Sequence, residues 1–315
     1  MAHADSRKVV IAALAGNVVI AACKFAAAFL SQSTATLAEA VHSLADTGNQ
    51  ALLLVGMYLA AQPASDRFPF GRASERYFWP FVVSVMLLSV GGAFAIFDGI
   101  DHLVHPRPHP HAFGWSYGVL GVSLAMEAMS FRVAVQEFGK LSAGQPLQQA
   151  LLEARDPTIP LVLAEDATAM AGLVVALVAV GLNSLTGQDF WDPIGSLIIG
   201  ALLCCVALIL AKITHGLLIG ESATPENRAR ALHLAASVDG VERVTQLLTL
   251  HLGPDVILLA MKIAFLPTLR VAEVEEVTDR IEARIREEMP QMRKIFIEAD
   301  SHGDRRGVPA TAGGA

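Results

Sequence analysis

The sequence predicts a chain in two parts: an all-α membrane domain of six transmembrane helices, then a small cytoplasmic α+β domain with the order α-β-β-α-β, a ferredoxin-like open-faced sandwich. Three observations predict it. The chain has 315 residues, 53% of them hydrophobic and 17% charged, whereas an ordinary soluble domain carries about a quarter charged residues. Six apolar segments occupy residues 9–30, 34–61, 77–100, 114–138, 158–182 and 193–213, each near the ~20 residues a helix needs to cross hydrocarbon. From about Leu217 the chain turns polar, and its apolar pattern switches between helical and strand periods. The expected division is residues 1–216 as membrane domain, 217–300 as soluble domain and 301–315 as a disordered tail rich in Gly, Ala and Arg.

The first apolar run follows Arg7 and Lys8 and ends without a cleavage signal, so it reads as a retained span. The links then alternate. Ser31-Gln32-Ser33 is uncharged, the second link holds Arg67, Arg72 and Arg76, the fourth holds Lys140 and Arg155, the fifth has no Lys or Arg, and Lys212 closes the last span. The positive-inside rule puts the basic links and both termini in the cytoplasm, in agreement with an even number of spans, and the chain is expected in a bacterial inner (plasma) membrane. The third link carries His102, His105, His109 and His111. Its prolines break any defined ligand spacing, so it reads as a solvated loop, with Asp98 and Asp101 as interfacial caps.

In the soluble part, Thr224-Pro225-Glu226 is a helix start: an N-cap, Pro at the first position and an acid in the first turn. Val244 to Leu252 is strand-like, Gly253-Pro254-Asp255 turns, and Val256 to Phe265 is a second strand. Val271 to Met289 is an amphipathic helix with Val271, Val274, Val277, Ile281 and Ile285 inward and Glu275, Glu276 and Arg280 outward, stopped by Pro290. Lys294 to Ala299 is a third short strand.

Several function classes are excluded. A net charge of −7 does not suggest a nucleic-acid partner. Cys23, Cys204 and Cys205 all lie in apolar runs without metal-finger or redox spacing. No HExxH or GxxxxGK[ST] pattern occurs, and no Ser nucleophile stands in a GxSxG elbow, since the string Gly114-Trp115-Ser116-Tyr117-Gly118 opens an apolar run of membrane length rather than a strand-to-helix turn; this argues against an intramembrane zinc protease, an ATP-driven pump and a serine hydrolase.

What remains are ionisable groups at membrane depth, which are costly and mark pathways or partners. In the second segment, TATLAEAVHSLADTGN, His42 and Asp46 lie four apart and so share one helix face; Glu39 and Asn49 continue the stripe. An imidazole with a carboxylate is half of a tetrahedral divalent-metal site, or else a buried hydrogen bond that ties helices. The fifth segment, DPTIPLVLAEDATAMAGLVVALVAVGL, sets Glu165 beside Asp166. Two adjacent carboxylates there need protons or a cation. Glu127 in the fourth segment reads equally as a proton carrier or a tie between helices, and Lys24, seven residues after Asn17, reads as a snorkelling cation.

Taken together, these features resemble the cation diffusion facilitator family of metal transporters over residues 8 to 300. The resemblance rests on Ser31 and Ser33 before span two, His42-x-x-x-Asp46, Phe70-Gly71, Asp166 in span five, Asp192-Pro193-x-Gly195-Ser196 at span six, and the α-β-β-α-β tail. It implies a homodimeric metal–proton antiporter in the lipid bilayer, with no permanent cofactor. Its cargo would be a divalent cation, zinc first, with manganese, cobalt or iron as alternatives. The implied metal set is His42, Asp46, Glu165 and Asp166. His42, Asp46 and Asp166 match the family's positions directly. The family's histidine four residues before Asp166 is Val162 here, and Glu165, one residue from Asp166 and about 100° round the helix from it, is its substitute. Arg72, Thr245 and Met261 stand where the family often has further metal-binding histidines, so the cytoplasmic domains are expected to pair by packing. A membrane-bound sensor or scaffold that binds ions without moving them is the competing reading; a channel is a third.

Overall fold

The computed structural model describes residues 2–31, 34–105, 113–141, 156–188 and 190–300. The Gln32-Ser33 link, His109 and His111, residues 142–155 of the fourth link and the tail from residue 301 lie outside the described residues. Elements follow in the order α1 (Ala2–Ser31), α2 (Thr34–Ala60), α3 (Glu75–Met86), a π-helical segment (Leu87–Ala93), α4 (Phe94–Val104), α5 (Phe113–Leu141), α6 (Thr158–Thr186), α7 (Trp191–Ile219), α8 (Pro225–Ala236), β1 (Val241–Gly253), β2 (Val256–Phe265), α9 (Val271–Glu288) and β3 (Lys294–Ala299).

The chain divides into two compact units. Met1–Gln62 and Glu75–His215 form the first; Pro63–Ser74 and Gly216–Ala315 form the second. Among the described residues, the regular structure of the first unit is all helical. Among the described residues, four helical stretches are long and apolar enough to cross a membrane: Glu75–Val104, Tyr117–Gln136, Thr158–Thr186 and Trp191–Ile219. The first of these runs unbroken through α3, the π segment and α4. α1 and α2 are 30 and 27 residues long. Phe94, Phe97, Val178, Leu208 and Ile209 stand exposed on these helices, the inverse of a soluble bundle and the surface that lipid tails would cover.

The unit's apolar core draws on α1, α2, α3, α5, α6 and α7, with Val10, Leu53, Val83, Phe138, Val162 and Leu203 among its members. α1 packs on α2, α5 and α6, α2 on α3, and α5 on α6. Small residues permit the closest approaches. A Cβ on Gly200 would lie 2.8 Å from the backbone nitrogen of Ile96 and 2.9 Å from the carbonyl oxygen of Gly92, so α7 crosses the π segment and α4 almost backbone to backbone. α6 starts where the Asp156 carboxylate accepts the Thr158 N–H at 3.2 Å. It ends at Gly187, whose left-handed φ of 65° lets its N–H return to the Asn183 carbonyl.

At the start of α3, Arg76 is buried and donates to Asp156. The basic second link therefore spends one of its three arginines inside the helical unit. The His-rich third link also begins later than the loop reading expects. His102 belongs to α4, with its Nδ1 donating to the Asp98 carbonyl at 2.9 Å, and the His105 Nδ1 donates to Asp101 at 3.1 Å.

In the second unit, β2 is the central strand. β1 pairs with it antiparallel and β3 parallel, in the order β1-β2-β3. A parallel neighbour requires a crossover, which α9 supplies. Along β2, Ile257, Leu259, Met261 and Ile263 are buried while Leu258, Ala260 and Lys262 are half-buried. That period of two puts one face against Leu234, Ile281 and Ile285 of the helices. The Thr224 hydroxyl caps α8 by accepting the Asn227 N–H, as its sequence predicts. Val271, expected inward, is instead 78% exposed; it is the first residue of α9, and the seam that meets the sheet starts a turn later at Val274 and Val277.

The link between α2 and α3 belongs to this unit. Phe70 meets Phe296 of β3 edge-on at 6.2 Å, and the Ser74 hydroxyl donates to the Leu252 carbonyl at 2.9 Å. Gly71 has φ +89°, a left-handed turn that favours glycine. Arg72 stacks over the ring of Phe68 at 4.7 Å.

Candidate metal site

Four helical positions chosen from sequence fall on two helices. His42 and Asp46 lie one turn apart on α2, and Glu165 and Asp166 sit about two turns into α6. The side chains of His42, Glu39 and Lys24 are outside the described residues. Asp46 is half-buried. Glu165 and Asp166 are 8% and 3% exposed.

Consecutive residues on a helix diverge by about 100°, and the two acids of α6 do so. Glu165 turns to α2, where its Oε1 accepts from the Asn49 Nδ2 at 3.1 Å. Asp166 turns to α5, where its Oδ2 accepts from the Ser130 hydroxyl at 2.9 Å. The amide nitrogen of Asn49 donates and the carboxyl oxygen of Glu165 accepts. Asn49 stands three residues after Asp46, on the same stripe of α2, and the charge of Asp46 acts on both Glu165 and Asp166. Carboxylates from two helices therefore share one electrostatic neighbourhood.

Val162, at the histidine position of the resemblance, is fully buried in the apolar core of the helical unit. It offers no lone pair. Among the described residues, no three His, Cys, Asp or Glu side chains gather into a ready-made metal cluster. Glu165 and Asp166 instead each take a hydrogen bond from a different helix.

Ser130 is the residue that sequence reasoning missed. Its signal was modest: with Glu127, three residues earlier, it makes a polar pair on one face of an otherwise apolar segment. Glu127 is buried. Asn49 was visible on the α2 stripe, but nothing in the sequence said that it would hold Glu165.

In the second unit, Met261 is core and the Thr245 hydroxyl donates to the Lys262 carbonyl at 3.2 Å. Glu298 pairs with Lys262 at 3.3 Å, and His251 is buried beside the Gly253 carbonyl.

Comparison with known proteins settles the family. Residues 10–219 match the family description "Cation efflux transmembrane domain", and residues 223–302 match "Cation efflux protein, cytoplasmic domain". The chain belongs to the cation diffusion facilitator family. Members of this family are membrane transporters rather than enzymes. The chain is 35% identical over 248 residues to "Proton-coupled zinc antiporter SLC30A9, mitochondrial" of Xenopus laevis, covering 78% of this chain and 44% of that protein. It is 29% identical over 301 residues to "Metal tolerance protein C4" of Arabidopsis thaliana, covering 95% and 64%. To "Magnetosome protein MamB" of Magnetospirillum gryphiswaldense it is 24% identical over 275 residues, covering 85% and 84%. The chain thus spans less than half the length of the SLC30A9 relatives it matches.

Proposed function

We propose that this protein is a secondary transporter that exports a divalent metal cation from the cytoplasm in exchange for protons. The observation that carries the reading is the meeting of α2 and α6 through Asn49 and Glu165. It brings the acids of the two helices into one neighbourhood inside a helical membrane unit. His42, Asp46, Glu165 and Asp166 are the proposed ligands. Metal binding needs deprotonated ligands, so cation and proton compete for the same groups. If the site opens to each side in turn, that competition couples their opposite movements. Zinc is the first candidate, supported by the SLC30A9 relatives, which are named proton-coupled zinc antiporters. Only one imidazole among three carboxylates makes the donor set hard, which keeps manganese, cobalt and iron in contention.

Six spans with cytoplasmic termini complete the proposal. α1 and α2 supply the two spans beyond the four that meet the length and composition of a membrane helix. The cytoplasmic-domain match at residues 223–302 supports a homodimer paired through that domain, in the inner membrane of a bacterium.

A proteoliposome assay tests the function. An inside-acid pH gradient should drive zinc uptake by the full chain, and Asp46→Ala or Asp166→Ala should abolish it. Undiminished pH-driven uptake by both variants would overturn the proposal. The competing reading, a membrane-bound sensor, draws on the buried Val162 in place of a ligand. It predicts saturable metal binding with no flux in the same vesicles.

A further inference from the structure

We infer that the side-chain carbonyl oxygen of Asn49 is a fifth metal ligand, so that the cation is held by a carboxamide oxygen as well as by the four groups proposed above. This rests on the transport-site reading and refines it.

Three observations carry the inference. Asn49 is 3% exposed in the middle of a membrane helix, where an asparagine is expensive unless both ends of its amide are satisfied. Its nitrogen end is satisfied by Glu165. Its oxygen end is not: among the described residues, Asn49 Oδ1 is buried without a hydrogen-bond partner, and so is Glu165 Oε2, the other oxygen of the carboxylate that Asn49 holds. One hydrogen-bonded pair thus presents two buried oxygens that accept nothing. Acceptors left over in this way, with the charge of Asp46 acting on the same carboxylate, match the need of a divalent cation, which takes oxygen ligands from carboxylates and amide carbonyls alike.

A second argument comes from counting ligands. The described acids do not reach a three-ligand cluster by themselves, and the position that would supply an imidazole on α6 is a core valine. A neutral oxygen on α2, three residues after Asp46, adds a donor without adding charge to a neighbourhood that already holds three carboxylates. The same residue's N–H occupies Glu165 Oε1, so Glu165 offers its cation one oxygen, not two. Gln50, the next residue, also has a buried, unpartnered side-chain oxygen, but among the described residues no hydrogen bond ties it to an acid of the site; it serves as the control.

The test uses the full chain in detergent with zinc as the probe, comparing wild type, Asn49→Ala, Asn49→Asp, Gln50→Ala and Asp46→Ala. X-ray absorption at the zinc edge counts ligands, and competition with a metal indicator gives Kd. Expected is the loss of one oxygen ligand in Asn49→Ala, with binding weakened by no less than the ~10–100-fold that loss of an outer-shell partner costs. Asn49→Asp should keep the full ligand count, because a carboxylate oxygen replaces the amide oxygen, and Gln50→Ala should match wild type. An unchanged ligand count in Asn49→Ala, with Asn49→Asp as weak as Ala, would overturn the inference and leave Asn49 a donor to Glu165 only. Unchanged binding in Asp46→Ala would instead overturn the site reading on which it rests. Thermal unfolding without metal identifies any variant that fails to fold, and the Asp variant then decides.

Discussion

Ser130→Ala probes whether Asp166 is a ligand oriented by α5. The Ser130 hydroxyl donates to Asp166 Oδ2 at 2.9 Å, leaving Oδ1 for a cation, so the bond can persist when metal binds. A hydrogen bond to a charged group contributes about 1.5–3 kcal/mol. Ser130 is only half-buried, which favours the lower end, about 1.5–2 kcal/mol, or roughly a 10- to 30-fold weakening of zinc binding at 1.4 kcal/mol per tenfold. The sign is itself informative. If the bond had to break for metal to bind, removing the hydroxyl would tighten binding. Competition titration of the purified chain with a zinc indicator measures Kd directly, and Ser130→Thr, which keeps a hydroxyl, should recover most of the loss. Binding by Ser130→Ala that equals or exceeds wild type would refute the orienting role.

Two further predictions concern the scaffold. Arg76→Ala should destabilise the helical unit: Arg76 is 4% and Asp156 25% exposed, and orphaning a buried charge costs several kcal/mol, reduced here to about 2–3 kcal/mol because Asp156 can partly rehydrate. Thermal unfolding in micelles should show a clear drop in Tm, and co-melting with wild type would remove the pair from the account of stability. Gly200→Ala forces a Cβ against the backbone of Ile96 and Gly92. Overpacking of about 1–3 kcal/mol should exceed the ~1 kcal/mol gain in helix propensity. Gly121→Ala, with nothing within 4 Å of its Cβ, should show the gain alone, and equal melting of the two variants would contradict the close crossing.

Much of this molecule is written in its local sequence. Apolar runs of membrane length predict the helices, because hydrocarbon leaves the backbone no other partner. The Thr224-Pro225-Glu226 start, the turn at Gly253 and the β3 segment are set by capping, turn chemistry and a period of two. Asp46, Glu165 and Asp166 stand out in the sequence because charges in apolar runs need a reason, and the His42–Asp46 spacing puts two of the candidate groups on one helix face. Lateral partnership is not encoded this way. That Glu165 would face Asn49 and Asp166 would face Ser130 depends on which helices adjoin and how each is rotated. Helices of similar length and hydropathy do not announce their neighbours. Arg76 shows the same limit: in sequence it is one more basic residue of a cytoplasmic link, and only the packing of α3 against the start of α6 pairs it with Asp156. The link from Pro63 to Ser74 likewise reads as a tether between spans, yet it folds into the second unit through Phe70 and Ser74. Periodicity along one chain determines what each segment is, while contacts between segments distant in sequence decide what each side chain meets, and the chemistry proposed for this site arises from those contacts.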